Sequence, residues 1–407
     1  MTETREAVLG KKSATSKLPQ LLELLPYFHR FLHRIDTRDV LVENGDFLLR
    51  KSMSGKVKKL TVSVCWRREI RHFPVLKTPD GRFCFESRAF RLVRDLIRWH
   101  VKNQVPLTEE SGAILKKGKA MQEWQLMSSQ LELEDAAIAW GRFGDVCEGR
   151  VLLRKDATER MVAVKSIVLD KETDAEVEKA RDLVLHEARC LRELADHSHI
   201  VKCYGVTVDS IRSMMVVELM SGNLLGRLRE KLFLSLENKQ KLARMAVSAL
   251  VHIHCHGMIH RQICAKNCLV LTTETGETVN LKLTGFEFCA KVNAEGEFVD
   301  QVAPPLNATL CAPEGLASKT WTRASDVWSF AVLEYELYTN GAVPYRTELA
   351  KEPKTDMPGR LLTLLQRGLR LTVPQNSPAP LKASWTTCFE MDPKLRPTAI
   401  ELMERMS

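Results

Sequence analysis

The sequence predicts an α+β protein made of two unequal modules joined by a polar connector. Three observations predict it. At 407 residues the chain is long enough for two or three separate cores. Residues 27–107 read as short strands bounded by turn residues and closed by one amphipathic helix. Residues 108–130 are polar and mixed, with a Lys116-Lys117-Gly118-Lys119 patch, and set that stretch apart from a longer segment, residues 131–404.

The elements of the first module follow in order. Residues 1–26 are a lead-in, partly apolar from Leu18 to Pro26. Asp46-Phe47-Leu48-Leu49-Arg50 reads as a buried strand with one cation in it, and Leu60-Thr61-Val62-Ser63-Val64 as a half-buried strand. Arg71-His72-Phe73-Pro74-Val75 is a third strand in which Pro74 requires an edge or a bulge. Pro79-Asp80-Gly81 is a turn, and Phe90, Leu92, Leu96, Ile97 and Trp99 suit an amphipathic helix. The net charge of +9 is concentrated here, because residues 27–107 hold 18 Lys and Arg against 8 Asp and Glu. A basic module points to an anionic ligand.

A lone arginine in an apolar strand is costly unless it meets an anion. A buried ion pair for Arg50 is the other reading, and no acidic partner is suggested nearby. Gly45-Asp46-Phe47-Leu48-Leu49-Arg50-Lys51-Ser52 resembles the G-D-F-L-V-R-E-S signature of Src-homology-2 (SH2) domains. The resemblance extends to Arg34 on the first helix and His72 on the fourth strand of that family's pattern. It implies a central antiparallel sheet flanked by two helices, and Arg50 as the bidentate ligand of phosphotyrosine. Ser52 and Ser54 would donate from the following loop, with Arg34 and His72 lining the pocket. Tyrosine-phosphorylated proteins are then the expected partners. The surplus arginines, Arg67, Arg68, Arg88, Arg91, Arg94 and Arg98, read first as solvated faces, with an acidic membrane surface second and nucleic acid disfavoured.

Some classes are set aside. No run approaches ~18 consecutive apolar residues, so no membrane span is expected. Met1-Thr2-Glu3-Thr4-Arg5-Glu6 lacks a signal peptide's apolar stretch, and Thr2 is not the glycine that myristoylation needs. The expected location is the cytoplasm, with recruitment to the inner face of the plasma membrane as a variant. The 11 cysteines read as reduced thiols. His252, His254, Cys255, His256, Cys264 and Cys268 cluster in sequence but match no standard zinc spacing, so they read as a helix end and the loop after it.

The second module carries an ordered set of motifs. Ala139-Trp140-Gly141-Arg142-Phe143-Gly144-Asp145-Val146 is followed by Val162-Ala163-Val164-Lys165 and by Glu187 in a helical stretch. Val217-Glu218-Leu219-Met220, His260-Arg261-Gln262-Ile263-Cys264-Ala265-Lys266-Asn267, Gly285-Phe286-Glu287, Ala312-Pro313-Glu314 and Asp392-Pro393 with Arg396 complete the series. Together they resemble the signature of a bilobal protein-kinase fold. The resemblance implies that Ala139, Gly141, Gly144, Val146 and Ala163 enclose a nucleotide. Lys165 would hold its phosphates with Glu187 as partner, and Glu218 would lie in the hinge that meets adenine. ATP is the implied cofactor. Cys264-Ala265-Lys266-Asn267 and Gly341-Ala342-Val343-Pro344-Tyr345 favour the tyrosine-kinase branch, and the domain order resembles the Fes/Fer type.

The departures fall on the reaction path. Gln262 stands where the catalytic aspartate belongs, and a neutral amide cannot take up a proton near neutral pH. Gly285 replaces the principal magnesium ligand, which leaves Asn267, with Glu287 two residues on, as the remaining metal candidates. No tyrosine occurs from Phe288 to Cys311, so Arg261 lacks a phosphotyrosine in cis and is expected to take Glu295, Glu297 or Asp300 instead. The expectation is a phosphotyrosine-binding pseudokinase acting as adaptor, scaffold or competitor of an active kinase. A weakly active tyrosine kinase is the alternative.

Overall fold

The computed structural model describes residues 22–406, apart from 55–56, 87, 141–143, 156, 169–173, 196, 209–211, 231–233, 302–305 and 352–355. Apart from two short segments, the chain divides between Ser128 and Ser129 into two compact units.

In the first unit β1 (Asp46–Ser54), β2 (Val57–Trp66) and β3 (Glu69–Pro74) form an antiparallel sheet. The alternation of side chains across a strand decides what each face meets. Phe47 and Leu49 pack with Val62 and Val64 against Leu96 and Ile97 of α1 (Val93–Asn103). Leu48 points to the opposite face and joins Leu32, Val40 and Leu41. Pro74 closes β3, an edge strand, where a missing N–H is tolerated.

Two expectations shift. The helix starts at Val93 rather than Phe90, because Phe90 is still extended and exchanges two backbone hydrogen bonds with Phe83 (2.7 and 2.8 Å). Arg34 stands at the N-cap of a short 3-10 helix, Ile35–Asp39, rather than within a longer first helix. The stretch read as a linker also contributes to this unit. Ala113 and Leu115 are fully buried in its core, and β4 (Lys117–Gly118) pairs with β1 in parallel. These apolar residues are too few and too interrupted by lysines to show a period.

The second unit has two lobes. A five-stranded sheet has the order β8-β9-β7-β6-β5, from β5 (Leu131–Trp140), β6 (Asp145–Leu152), β7 (Glu159–Val168), β8 (Cys203–Val208) and β9 (Arg212–Glu218). The helix α2 (Asp174–Glu193) lies between β7 and β8 in sequence. The larger lobe is helical, with α3 (Leu236–Cys255), α4 (Pro313–Ser318) and α5 (Arg323–Tyr338). Thirteen of the 16 residues of α5 are buried, so it is covered nearly all round. The hairpin of β10 (Cys268–Thr272) and β11 (Thr278–Leu283) carries the His260–Asn267 loop and the Gly285 turn at the same end, because Cys268 pairs with Leu283.

Candidate functional site

The first unit builds a cationic pocket on one face of its sheet. Register places Arg50 opposite Thr61 and Ser63 opposite His72, so these side chains share a face. Arg50 is buried; its Nε donates to Ser63 Oγ (3.0 Å) and Nη1 to the Leu32 carbonyl (3.3 Å). Ser63 Oγ also meets His72 Nδ1 at 2.9 Å, and Ser52 Oγ lies 2.6 Å from Thr61 Oγ1. Among the described residues no carboxylate pairs with Arg50. Burial, then the neighbouring Arg34 charge, pushes the Arg50 pKa down to about 10. Burial, then Arg50 and Arg34, pushes His72 down to about 4. A pocket that disfavours its own cations is one that an anion relieves. Ser54 ends β1, and its side chain lies outside the described residues. Ser63 and Thr61 were not singled out from sequence, although two polar residues on one face of a half-buried strand are the signal for them.

In the sheet lobe, Ala139 pairs with Val146 and Val146 with Lys165, which brings three expected residues into one cross-strand row. Ala163 is buried on the same strand as Lys165. Gly144 is forced by space, since a Cβ there would stand 1.9 Å from the Ser166 carbonyl oxygen. Gly141, with Arg142 and Phe143, lies outside the described residues. Lys165 Nζ donates to Glu187 Oε2 at 2.5 Å, and Glu187 is only 1% exposed. The Glu218 carboxylate accepts from Lys282 Nζ (2.7 Å) and from the Lys202 N–H (2.6 Å), so main chain is what this residue offers a ligand. Lys282 was not foreseen, because its partner lies 64 residues away.

The loop before β10 is braced from below. Asp326 on α5 accepts from the backbone N–H groups of His260 and Arg261, both at 2.7 Å. This holds Arg261 at φ +71°, a conformation rare for a side-chain-bearing residue. His260 packs edge-on against Phe286 with ring centroids 4.6 Å apart. Gln262 is buried and its Nε2 finds no hydrogen-bond partner. Lys266 is exposed. Asn267 Nδ2 donates to the Gln262 carbonyl (2.8 Å). Gly285 adopts φ +83°, and a Cβ added there would lie 2.7 Å from Asn267 Cγ. The Asn267 amide therefore fills the space into which a side chain at 285 would project. Glu287 lies in the turn Phe286–Phe288, and its Oε2 is buried without a partner.

These residues offer magnesium few oxygens. The ion takes about six in near-octahedral array. Gly285 supplies none, the Asn267 amide donates its nitrogen to the Gln262 carbonyl and keeps one oxygen, and no group of three or more His, Cys, Asp or Glu among the described residues is placed to hold a metal. Of the histidine and cysteine cluster at the end of α3 and in the loop beyond, His254 contacts Asp326, His256 bonds back to the His252 carbonyl, and Cys264 and Cys268 are buried.

Arg261 takes Asp300 as its acid. The two are ion-paired, Trp321 Nε1 donates to the same carboxylate (2.9 Å), and the Phe298 and Trp321 rings cover the guanidinium at 5.0 and 4.8 Å. Residues Glu297–Val299 pair antiparallel with Thr320–Thr322, which sets Phe298 opposite Trp321. Glu314 on α4 holds Arg396 through two bonds of 2.7 and 2.8 Å.

Known proteins match this arrangement. The family model described as protein tyrosine and serine/threonine kinase matches residues 133–406, and the SH2 domain model matches residues 27–100. The chain is 31% identical to the tyrosine-protein kinase transforming protein Fps of avian sarcoma virus (strain PRCII), over 96% of this chain and 70% of that protein. It is 27% identical to human tyrosine-protein kinase Fer over 94% of this chain, but spans only 43% of Fer. It is 28% identical to Fer-related kinase 1 of Caenorhabditis elegans, over 93% of this chain and 92% of that protein.

Proposed function

This chain belongs to the protein tyrosine kinase family, with an SH2 domain ahead of the kinase domain, and on that premise we propose that it recognises phosphotyrosine without transferring phosphate. The SH2 domain, residues 27–107, binds tyrosine-phosphorylated proteins through Arg50, with Ser52, Ser54, Arg34 and His72 around the phosphate. The kinase-like domain, residues 131–404, holds ATP through Lys165 and the cleft above it and serves as a docking surface or competitor of an active relative. The protein acts in the cytoplasm and reaches the inner face of the plasma membrane through its phosphorylated partners. Among the described residues, no helix is long and apolar enough to cross a membrane.

The observation that carries the reading is the Asn267 amide standing in the space of the missing residue-285 side chain, beside the neutral Gln262. A lost general base alone costs roughly 10²–10⁴ in rate. Losing the metal's main anchor removes charge neutralisation from the same transition state. The intact Lys165–Glu187 pair supports nucleotide binding that outlasts catalysis.

The test is a thermal-shift titration with ATP, with and without magnesium, beside a labelled-ATP transfer assay that includes Lys165→Met. ATP is expected to raise the melting temperature equally in both conditions, with no transfer above the Lys165→Met background. Transfer that disappears in Lys165→Met establishes the weakly active kinase instead.

A further inference from the structure

The α5 helix buries three acidic side chains, and two of them have partners. Asp326 accepts from the His260 and Arg261 N–H groups, and Glu336 accepts from the Ala265 N–H at 2.7 Å. Glu334 is 1% exposed, and among the described residues neither of its oxygens has a hydrogen-bond partner. An acid in that position is costly unless something arrives to pair with it. Room for a partner exists. Glu334 lines a cavity between α3, α5, α6 (Ala379–Cys388) and α7 (Ala399–Met406). Ala243 on α3, Tyr338 one turn beyond Glu334, and Leu381 on α6 are buried in the same lining. Half-buried Met406 adds apolar surface, and Arg244 is exposed. The cavity gives about 40 Å³ to the centres of water-sized groups. A single water needs roughly 10–15 Å³ by that measure, so a short chain of heavy atoms fits. Ala243 and Leu381 offer water no hydrogen bond, whereas an alkyl stem is favoured against them.

We propose that this cavity is a binding site for a small primary alkylamine, held as its cation by the Glu334 carboxylate with the alkyl stem against Ala243, Leu381 and Met406. The ammonium N–H groups donate to the two oxygens that have no other partner. Tyr338 places an aromatic ring in the same lining, and ring faces attract cations. No covalent bond to the ligand forms. The empty site holds Glu334 as the neutral acid, and its O–H proton passes to solvent as the ammonium binds.

The electrostatics agree with the geometry. Burial holds the Glu334 carboxyl well above the ordinary carboxylate range, and no neighbouring cation acts the other way. The groups around it supply no counter-charge. Tyr338 on α5 is raised by burial and then by Glu334. Cys388 on α6 is pushed up to about 12 by burial and then by Glu334, with Arg405 on α7 and Arg396 acting against them. Lys239 on α3 donates to Asn340 Oδ1 at 2.7 Å instead, and Arg244 already has a partner. The exposed Arg244 charge is screened by salt, whereas a cation at the buried Glu334 is not. The inference depends on neither phosphotyrosine nor ATP binding.

The experiment titrates the whole chain with n-butylamine by calorimetry, in two buffers of different ionisation enthalpy, with n-butanol as the neutral counterpart. Saturable binding of the amine is expected, with protons released near neutral pH, and no saturable binding of butanol. Glu334→Gln keeps the shape without the charge. It weakens amine binding by about 10- to 100-fold, the loss of a charge-assisted bond, and ends the proton release. Glu334→Leu removes the unpaired acid, so it is expected to fold with a higher Tm than the unaltered chain and to bind no amine. Ala243→Leu fills the cavity and abolishes binding while Glu334 stays in place. Absence of saturable amine binding, equal binding of butanol, or amine binding that survives Glu334→Gln or Ala243→Leu overturns the proposal. So does a Tm lowered by Glu334→Leu, which means that the acid has a partner inside the fold.

Discussion

Replacing Asp300 with asparagine removes one charge from a buried pair while keeping an oxygen for the Trp321 indole. The Arg261 and Asp300 side chains are only 3% and 10% exposed, so solvent cannot take over as partner. Breaking such a pair from one side costs about 3–5 kcal/mol. Arg261 keeps the Phe288 carbonyl at 3.0 Å and both aromatic rings, which places the loss near the lower end, about 3 kcal/mol. At about 2.1 cal/mol/K per residue over roughly 275 residues, that is a fall in Tm of about 5 °C. Calorimetry on Asp300→Asn, with the second unit's transition followed separately, measures it. The double variant Arg261→Met with Asp300→Leu removes both charges and is expected to lose less than Asp300→Asn alone. A shift below about 1 °C, or a double variant that loses the sum of its single losses, refutes the reasoning.

Three further outcomes are expected. Arg50→Met weakens phosphotyrosine-peptide binding by roughly 100- to 1,000-fold in calorimetric titration, the loss of two charge-assisted bonds, without lowering the Tm of the unliganded first unit. Stability of that unit falls as pH drops from 6.5 towards 4, because His72, held near 4 in the fold and at 6.5 when unfolded, binds its proton first in the unfolded chain; His72→Gln flattens this part of a pH–Tm curve. Gly285→Ala forces a side chain into a left-handed position 2.7 Å from Asn267 Cγ, so thermal unfolding should show a loss of about 2–4 kcal/mol, and an unchanged Tm rejects the crowding argument.

Legibility depended on how local each signal was. Arg50 stood out because a cation inside an apolar strand is anomalous within five residues. Lys165 and Glu187 were found separately by their motifs, and the fold joined them at 2.5 Å across 22 residues. Trp321 and Phe298 gave no signal, since what unites them is a two-strand ladder that exists only after the chain has turned back. Ala113 and Leu115 were hidden among polar neighbours, just before a two-residue strand too short to have a period.

The sequence by itself determined which atoms are present. Position 262 has no proton acceptor of suitable strength, position 285 has no carboxylate, and Phe288–Cys311 has no tyrosine to phosphorylate. These are statements of composition at a motif and need no coordinates. Only the tertiary structure decided how the vacated roles were refilled. Asn267 occupies the space beside Gly285, and Asp300 rather than Glu295 or Glu297 reaches Arg261. Each outcome depends on which side chains arrive within a few ångströms of one another, and chain separation carries no information about that.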